Sequence, residues 1–171
     1  DNLFNYGENN SIDFEKLNGI VGIFGKNFSG KSSIIDSLLF GLYNSTSKPA
    51  KKNINFINQN KQNADITLKI GIGNKDYTIN RRVEKYQKKL KGKTTDEARI
   101  DLDFDRFDPV MDKQESLNGL TRSNTDLNIR KYLGSMDDFL ITSMSSQHGA
   151  LQFVNEGSTK RKEILAKFLD L

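Results

Sequence analysis

The stretch GIVGIFGKNFSGKSSIIDSLLFGLY, residues 19–43, decides the fold. It opens with a continuous apolar run at 19–24, which predicts a short strand buried on both faces. A glycine-bounded loop follows at 25–30, and from Lys31 onward the apolar residues recur with the period of one helix face. This order of strand, loop and amphipathic helix predicts an α/β fold organised around the loop.

The loop has the pattern G-x-x-x-x-G-K-[ST]. Gly25 and Gly30 permit backbone angles that turn successive N–H groups inward around a phosphate. The helix that follows directs its N-terminus, with unpaired N–H groups and the positive end of its dipole, at the same anion. The pattern predicts a nucleotide site in which Lys31 is catalytic and contacts the β- and γ-phosphates, and the Ser32 hydroxyl binds Mg²⁺. The predicted binding set is Gly25, Lys26, Asn27, Phe28, Ser29, Gly30, Lys31, Ser32 and Ser33.

Composition excludes several other classes of site. The absence of cysteine excludes disulfides, a zinc ribbon and thiol catalysis, and a single histidine, His148, excludes a histidine-based metal centre. No apolar run approaches the roughly 20 residues that span a bilayer, so we expect a soluble protein. The length of 171 residues predicts one domain, 1–171. The formal net charge of +4 permits nucleic-acid binding without demonstrating it.

The remainder of the chain predicts an antiparallel meander followed by helices. Alternating apolar residues predict strands at 66–72, 77–83 and 100–104, with a turn at Gly73-Asn74. The alternation also turns Asp101, Asp103 and Asp105 away from the core, as a solvated face and not a metal site. Further predictions are a strand at 11–14, a loop at 45–61 and a solvated hairpin tip at 85–93. Three helices are predicted at 124–133, 136–144 and 159–171. Asn124 is the predicted cap of the first of these helices, and Ser158 or Thr159 is the predicted cap of the last.

Residues 19–43 resemble the first phosphate-loop segment of SMC-type ATPases, and most of all the SbcC-like branch, which includes phage recombination-exonuclease relatives. The double serine Ser32-Ser33 followed by Ile-Ile-Asp-Ser-Leu is the most specific part. Residues 139–171, FLITSMSSQHGALQFVNEGSTKRKEILAKFLDL, resemble the Q-loop of that branch and the helix that leads into its coiled coil. The sequence departs from the family at Phe28, where many relatives have a third glycine.

The resemblance implies an ABC-ATPase head fold, with a mixed sheet around the phosphate-loop helix plus the antiparallel meander. It implies ATP and Mg²⁺ as cofactors, and it makes Gln147 a second catalytic residue that reaches Mg²⁺ and the attacking water. The implied function is a DNA repair or recombination ATPase in which ATP-driven head engagement controls DNA binding and a nuclease. The implied partners are the protein's own C-terminal lobe, a second protomer, a nuclease partner and DNA, with no membrane and a cytoplasmic location.

Two parts of such an ATPase are not recognisable in the sequence: a strand that ends in adjacent carboxylates, and a serine-rich signature helix. Together with a beginning at Asp1 and an end inside a helical stripe, this predicts an excised N-terminal half of a head. Two other functions stay open, a small-molecule or nucleotide kinase and a RecF-like or SMC-type protein without a nuclease partner. The basic segment with Lys85, Lys88, Lys89, Lys91 and Lys93 is either a DNA contact or a solubilising loop.

Overall fold

The computed structural model describes residues 1–47, 52–90, 92–143 and 156–168. The chain divides into two compact units, Asp1–Ile129 and Arg130–Leu171. The first unit contains the phosphate-loop segment and the sheet. The second contains the last helices.

The first unit is built on a four-stranded sheet in the order β1-β2-β3-β4. The strands are β1 (Asn63–Ile72), β2 (Lys75–Leu90), β3 (Lys93–Asp108) and β4 (Lys113–Ser116), and each neighbouring pair is antiparallel. Ile72 pairs with Lys75, so residues 73–74 form the tight turn, and Gly73 has the positive φ of 59° that such a turn requires. The predicted meander is confirmed, and β4 is a strand that the apolar pattern does not reveal.

Helix α1 (Lys31–Tyr43) packs across one face of this sheet. A Cβ atom on Gly41 would lie 2.6 Å from the Leu68 side chain, so the glycine allows the helix backbone to approach β1. Phe40 packs on Phe56 with ring centroids 4.6 Å apart. One hydrophobic core joins buried residues of this helix, the strands, the segment 53–57 and the N-terminal segment: Leu3, Phe40, Phe56, Ile57, Ala64, Val83 and Ile100.

The later helices are α2 (Arg122–Leu133), α3 (Met136–Thr142) and α4 (Ser158–Phe168). The predicted cap at Asn124 is wrong: α2 begins at Arg122, and the Asn124 N–H donates to the Thr121 hydroxyl at 3.3 Å. The predicted break at Gly134 is confirmed, because this residue has φ 80° between α2 and α3. Ser135 caps α3 in a capping box with Asp138.

The strands predicted at 11–14 and 19–24 are not present. Residues 14–16 form a 3₁₀ turn instead, and residues 20–26 have no regular structure, with Ile20 and Phe24 almost fully exposed. A strand needs neighbours for its backbone hydrogen bonds, and the sheet of the described residues draws its strands only from 63–116. That sheet is entirely antiparallel, so the predicted mixed sheet around α1 is not found in the described part of the chain.

Two predicted loops contain structure. The loop at 45–61 holds a 3₁₀ turn at Asn53–Phe56, and Ile57 forms a bridge with Leu3. In the predicted tip at 85–93, residues 86–90, 92 and 93 are exposed as expected, but the segment consists mainly of strand and not of loop. Strand β2 continues to Leu90 and strand β3 begins at Lys93, and these two residues pair with each other.

Candidate nucleotide-binding site

The loop at 25–30 leads directly into α1, and the two glycines of the motif have different roles. Gly30 is the N-cap residue with φ 92°, a conformation that only glycine adopts without strain. Gly25 provides space, because a Cβ atom there would lie 2.7 Å from the Ser29 hydroxyl oxygen. The loop therefore folds back on itself at Gly25 and turns into the helix at Gly30.

Lys31 lies across this loop. Its ammonium group donates to the carbonyl oxygens of Gly25 at 2.7 Å and Lys26 at 2.6 Å. The Ser29 N–H donates to the same Lys26 carbonyl at 3.2 Å. The one charged side chain that the pattern requires is thus held beside the backbone that would surround a phosphate.

The N-terminus of α1 is open to an anion. Gly30 offers no side-chain cap, and the first turn contains no acidic residue, so the positive end of the helix dipole has no compensating charge there. The Ser33 N–H donates to the Gly30 carbonyl at 2.9 Å. Ser32 is exposed on this first turn, as are Lys26, Asn27 and Ser29 in the loop. An exposed, uncapped helix start with these polar groups around it fits a polyphosphate.

The conformation and exposure of Phe28 show how the loop accommodates a phenylalanine at a position where many relatives have glycine. Its φ is 65°, in the left-handed region that favours glycine, and its side chain is 96% exposed. The backbone therefore keeps the conformation that a glycine would have here. The phenyl ring points to solvent and leaves the loop unobstructed.

Two residues that the sequence patterns do not identify hold the loop in place. The Tyr6 hydroxyl donates to the Gly30 carbonyl at 3.0 Å, and the Asn5 side-chain amide donates to the Phe28 carbonyl at 3.1 Å. The Asn58 side chain donates in turn to the Tyr6 carbonyl at 3.1 Å. The two contacts to the loop join positions 23 or more residues apart, so no local spacing indicates them.

A third such residue, Arg81, holds the opposite end of α1. Its side chain is 0% exposed, Nε donates to the Gly41 carbonyl at 3.1 Å, and Nη2 donates to Asp126 Oδ1 at 2.8 Å. The Gly41 carbonyl belongs to the last turn of α1, where carbonyls have no partner within the helix. Burial lowers the pKa of Arg81, while the hydrogen bond to Asp126 opposes that shift.

The remaining sequence predictions have different outcomes. Gln147, His148 and Lys91 lie outside the described residues. Asp101 and Asp103 are exposed, on the face opposite the buried Ile100 and Phe104, as the alternation predicts. Within the described ranges there is no group of three or more acidic or histidine side chains that could hold a metal ion.

Comparison with known proteins adds family membership to this geometry. Residues 1–170 match the family described as AAA domain. The chain belongs to this family. It is therefore a P-loop ATPase domain of the α/β class, with an antiparallel sheet and helices.

The relatives support the resemblance to SbcC-like ATPases. The chain is 26% identical to the SbcC component of the nuclease SbcCD from Bacillus subtilis over 99% of its own length and 15% of the relative. It is 30% identical to the uncharacterized protein R555 of Acanthamoeba polyphaga mimivirus over 99% of its own length and 12% of that protein. A 76-residue part, 44% of this chain and 8% of the relative, is 38% identical to the DNA double-strand break repair Rad50 ATPase of Sulfolobus acidocaldarius.

The predicted resemblance to the N-terminal region of SbcC-like SMC ATPases is thereby confirmed. The chain spans less than a sixth of the length of these relatives. In the described part of the chain, no helix has the length and apolar character needed to cross a membrane.

Proposed function

We propose that this chain is the ATP-binding half of a DNA repair or recombination ATPase. In the complete protein, ATP-driven engagement of two heads would control DNA binding and a nuclease partner in the cytoplasm. The observation that carries the proposal is the open N-terminus of α1, where Gly30 supplies no cap and Lys31 lies across the loop. The membership of the AAA domain family and the names of the SbcCD and Rad50 relatives support it.

In this proposal the nucleotide is held by the chain's own backbone and two side chains. The N–H groups of the loop and of the first turn of α1 that have no carbonyl partner would surround the phosphates, and Lys31 would exchange its two carbonyl contacts for the β- and γ-phosphate oxygens. The exposed Ser32 hydroxyl would hold Mg²⁺, and the charge of that ion would stabilise the transferred phosphoryl group. We further propose that Gln147 completes this set by orienting the attacking water.

The proposal also accounts for an apolar surface beside the site. Between Ile12 and Phe24, seven large apolar side chains are 44–105% exposed. Two of them, Ile12 and Phe14, line a groove of about 260 Å³ that also has Leu38 and Leu68 in its wall. Groups of exposed apolar side chains are typical of interaction surfaces. We propose that the C-terminal lobe of the same protein covers this surface and pairs with residues 19–24 as a strand, and that the whole chain forms the N-terminal lobe of the head.

The chain alone should hydrolyse ATP barely above background. Phosphoryl transfer needs positioning, metal charge and an oriented water together. The described residues supply the first two through Lys31 and Ser32, and they contain no carboxylate pair at the loop. Addition of the C-terminal lobe should restore turnover and bring two heads together only when ATP is present.

The test is titration of Mg²⁺–ATP into the chain by calorimetry, with Lys31→Ala as the variant. We expect loss of detectable binding without unfolding, because the Lys31 ammonium group forms exposed hydrogen bonds to loop carbonyls and Lys31 is not part of the hydrophobic core. Lys16→Ala, which changes an exposed lysine outside the loop, is the matched control. Equal ATP affinity in the Lys31→Ala variant and the wild type would remove the site assignment. Brisk hydrolysis by the isolated chain would instead favour a self-sufficient P-loop enzyme such as a kinase.

A further inference from the structure

The end of the β2–β3 hairpin projects from the sheet as a two-stranded ribbon, residues 85–90 and 93–98. Strand β1 pairs with β2 only as far as the pair Asn63–Glu84, and β4 pairs with β3 only at Asp105–Asp108. Beyond Glu84 each strand of the ribbon therefore has one neighbour, up to the last pair Leu90–Lys93. Six residues at about 3.3 Å each project roughly 20 Å beyond the body of the sheet.

The base of this ribbon is fixed. The Lys85 N–H donates to the Gln62 carbonyl at 2.8 Å, and the Lys85 ammonium group donates to the Lys61 carbonyl at 2.7 Å. Ala98, opposite Lys85, packs against the hydrophobic core. The outer residues 87–90 and 93–96 are all exposed. The ribbon is thus an ordered, solvated projection on a rigid base.

Positive charge is concentrated at the outer end of the ribbon. The acidic side chain Glu97 accepts from the Tyr86 hydroxyl at 2.8 Å and pairs with Lys88 at 3.2 Å, so it neutralises the Lys88 charge. Lys89 and Lys93 lie farther out, and their cross-strand partners are Thr94 and Leu90, which carry no charge. The second acidic side chain of the ribbon, Asp96, lies opposite Gln87, and among the described residues it forms no ion pair with Lys89 or Lys93. These two lysines therefore have no paired carboxylate in the described part of the ribbon.

We propose that the outer end of the ribbon contacts the phosphate backbone of duplex DNA, independently of base sequence. This rests on the proposed function, which makes DNA the polyanion that the protein meets. A two-stranded β-ribbon fits the major groove of B-DNA, where phosphates border it on both sides. Lysine is a point charge that contacts phosphates and carries little base readout, so the contact positions the protein on DNA and does not select a sequence.

The composition of the ribbon favours duplex over single-stranded DNA. Proteins that bind single strands stack the bases on aromatic side chains along the binding groove. The one aromatic residue of the ribbon, Tyr86, lies near the base, where its hydroxyl is engaged by Glu97. The outer residues Lys89, Leu90 and Lys93 offer charge and no stacking surface.

The test is fluorescence anisotropy of a labelled 20-base-pair duplex with the chain, at a series of salt concentrations. The variant is Lys89→Gln/Lys93→Gln, which leaves the Lys88–Glu97 pair intact. The matched control is Lys69→Gln/Lys113→Gln, which removes the same charge from exposed positions in β1 and β4. We expect the first variant to bind about tenfold more weakly and to lower the slope of log affinity against log salt by about 2. The control should change both quantities much less.

A second variant reverses the sign of the effect. Glu97→Gln frees Lys88 and removes one negative charge from the ribbon, so duplex affinity should rise roughly two- to threefold. Glu115→Gln, which removes a carboxylate paired with Arg106 at the far end of β3, is its control and should leave affinity unchanged. Circular dichroism of each variant verifies that the sheet is intact.

Four outcomes would overturn the proposal. Two concern the duplex: no binding at about 50 mM salt, or equal affinity and salt slope in the Lys89→Gln/Lys93→Gln variant and the wild type. The other two are tighter binding of a single strand than of the duplex, and equal binding of polyglutamate, which would indicate an acidic protein partner. ATP affinity, measured on the same samples, reports on the nucleotide site alone. A failure of the ribbon is therefore distinguishable from a failure of the proposed function.

Discussion

Asp126→Ala should strongly destabilise the first unit, because it leaves the Arg81 guanidinium buried without a counter-charge. Arg81 is 0% exposed, and its Nη1 atom already has no hydrogen-bond partner among the described residues. Removal of one partner of a buried ion pair costs about 3–5 kcal/mol. Because the Asp126 side chain is 20% exposed, water can partly replace it, and we expect a loss of about 2–4 kcal/mol.

The matched control is Glu84→Ala. It removes a carboxylate from another arginine pair of similar distance, at 2.6 Å from Arg99, but the Arg99 and Glu84 side chains are 65% and 43% exposed. Exposed pairs contribute about 0–1 kcal/mol, so this variant should unfold nearly like the wild type. The comparison separates burial of the charge from the presence of an ion pair.

The assay is urea unfolding followed by far-ultraviolet circular dichroism, with thermal melts as a second measurement. A loss of about 2–4 kcal/mol corresponds to a fall in Tm of roughly 5–15 °C for a chain of this size. Arg81→Met in the Asp126→Ala background should recover part of the loss, since an apolar side chain needs no counter-charge. If Asp126→Ala unfolds like Glu84→Ala, or if Arg81→Met adds to the loss, the role assigned to this pair is wrong.

Two further predictions concern the loop and the ribbon. Phe28→Gly should raise the free energy of unfolding by about 0.5–1 kcal/mol, because relief of the left-handed backbone strain outweighs the conformational entropy of glycine. ATP affinity should stay unchanged, because the phenyl ring points to solvent. A loss of stability in urea titration would contradict this prediction. The hydrogen bond to Glu97 raises the pKa of Tyr86, because the negative carboxylate disfavours the phenolate. NMR of this tyrosine should therefore show deprotonation at a higher pH than usual, and the midpoint should return toward the ordinary value of about 10 in Glu97→Gln. An unchanged midpoint in the variant would mean that the cross-strand pair does not form.

The phosphate loop and the meander could be predicted from the sequence because both are encoded locally. The glycine positions and Lys31 have fixed spacing, and the alternation at 66–72 sets the face and the register of the hairpin. A shift of one residue would expose the apolar face, so few registers compete. Local patterns of this kind determine the elements that carry their own hydrogen-bond partners.

The structure of residues 19–24 could not be predicted correctly, because the apolar pattern indicates a buried strand but does not show which strands would pair with it. An apolar run buried on both faces requires a strand on each side and layers above and below. The described residues supply none of these, so the run has no regular structure and stays exposed. For Arg81 the error is the reverse. A charged residue next to a basic segment indicates an exposed position, whereas Arg81 is buried because the fold brings Gly41 and Asp126 close to it.

The residues that sequence reasoning missed share one mechanical property: they fix α1 from outside the motif. Tyr6 donates to the carbonyl at the N-cap, and Arg81 donates to a carbonyl in the last turn. A helix N-terminus that must receive a phosphate cannot use a side-chain cap or an acidic first turn, since either would compete with the anion. Its position must therefore be set by contacts to carbonyl groups, which leave the N–H donors free. The loop motif supplies the chemistry, and the distant donors hold that chemistry in place.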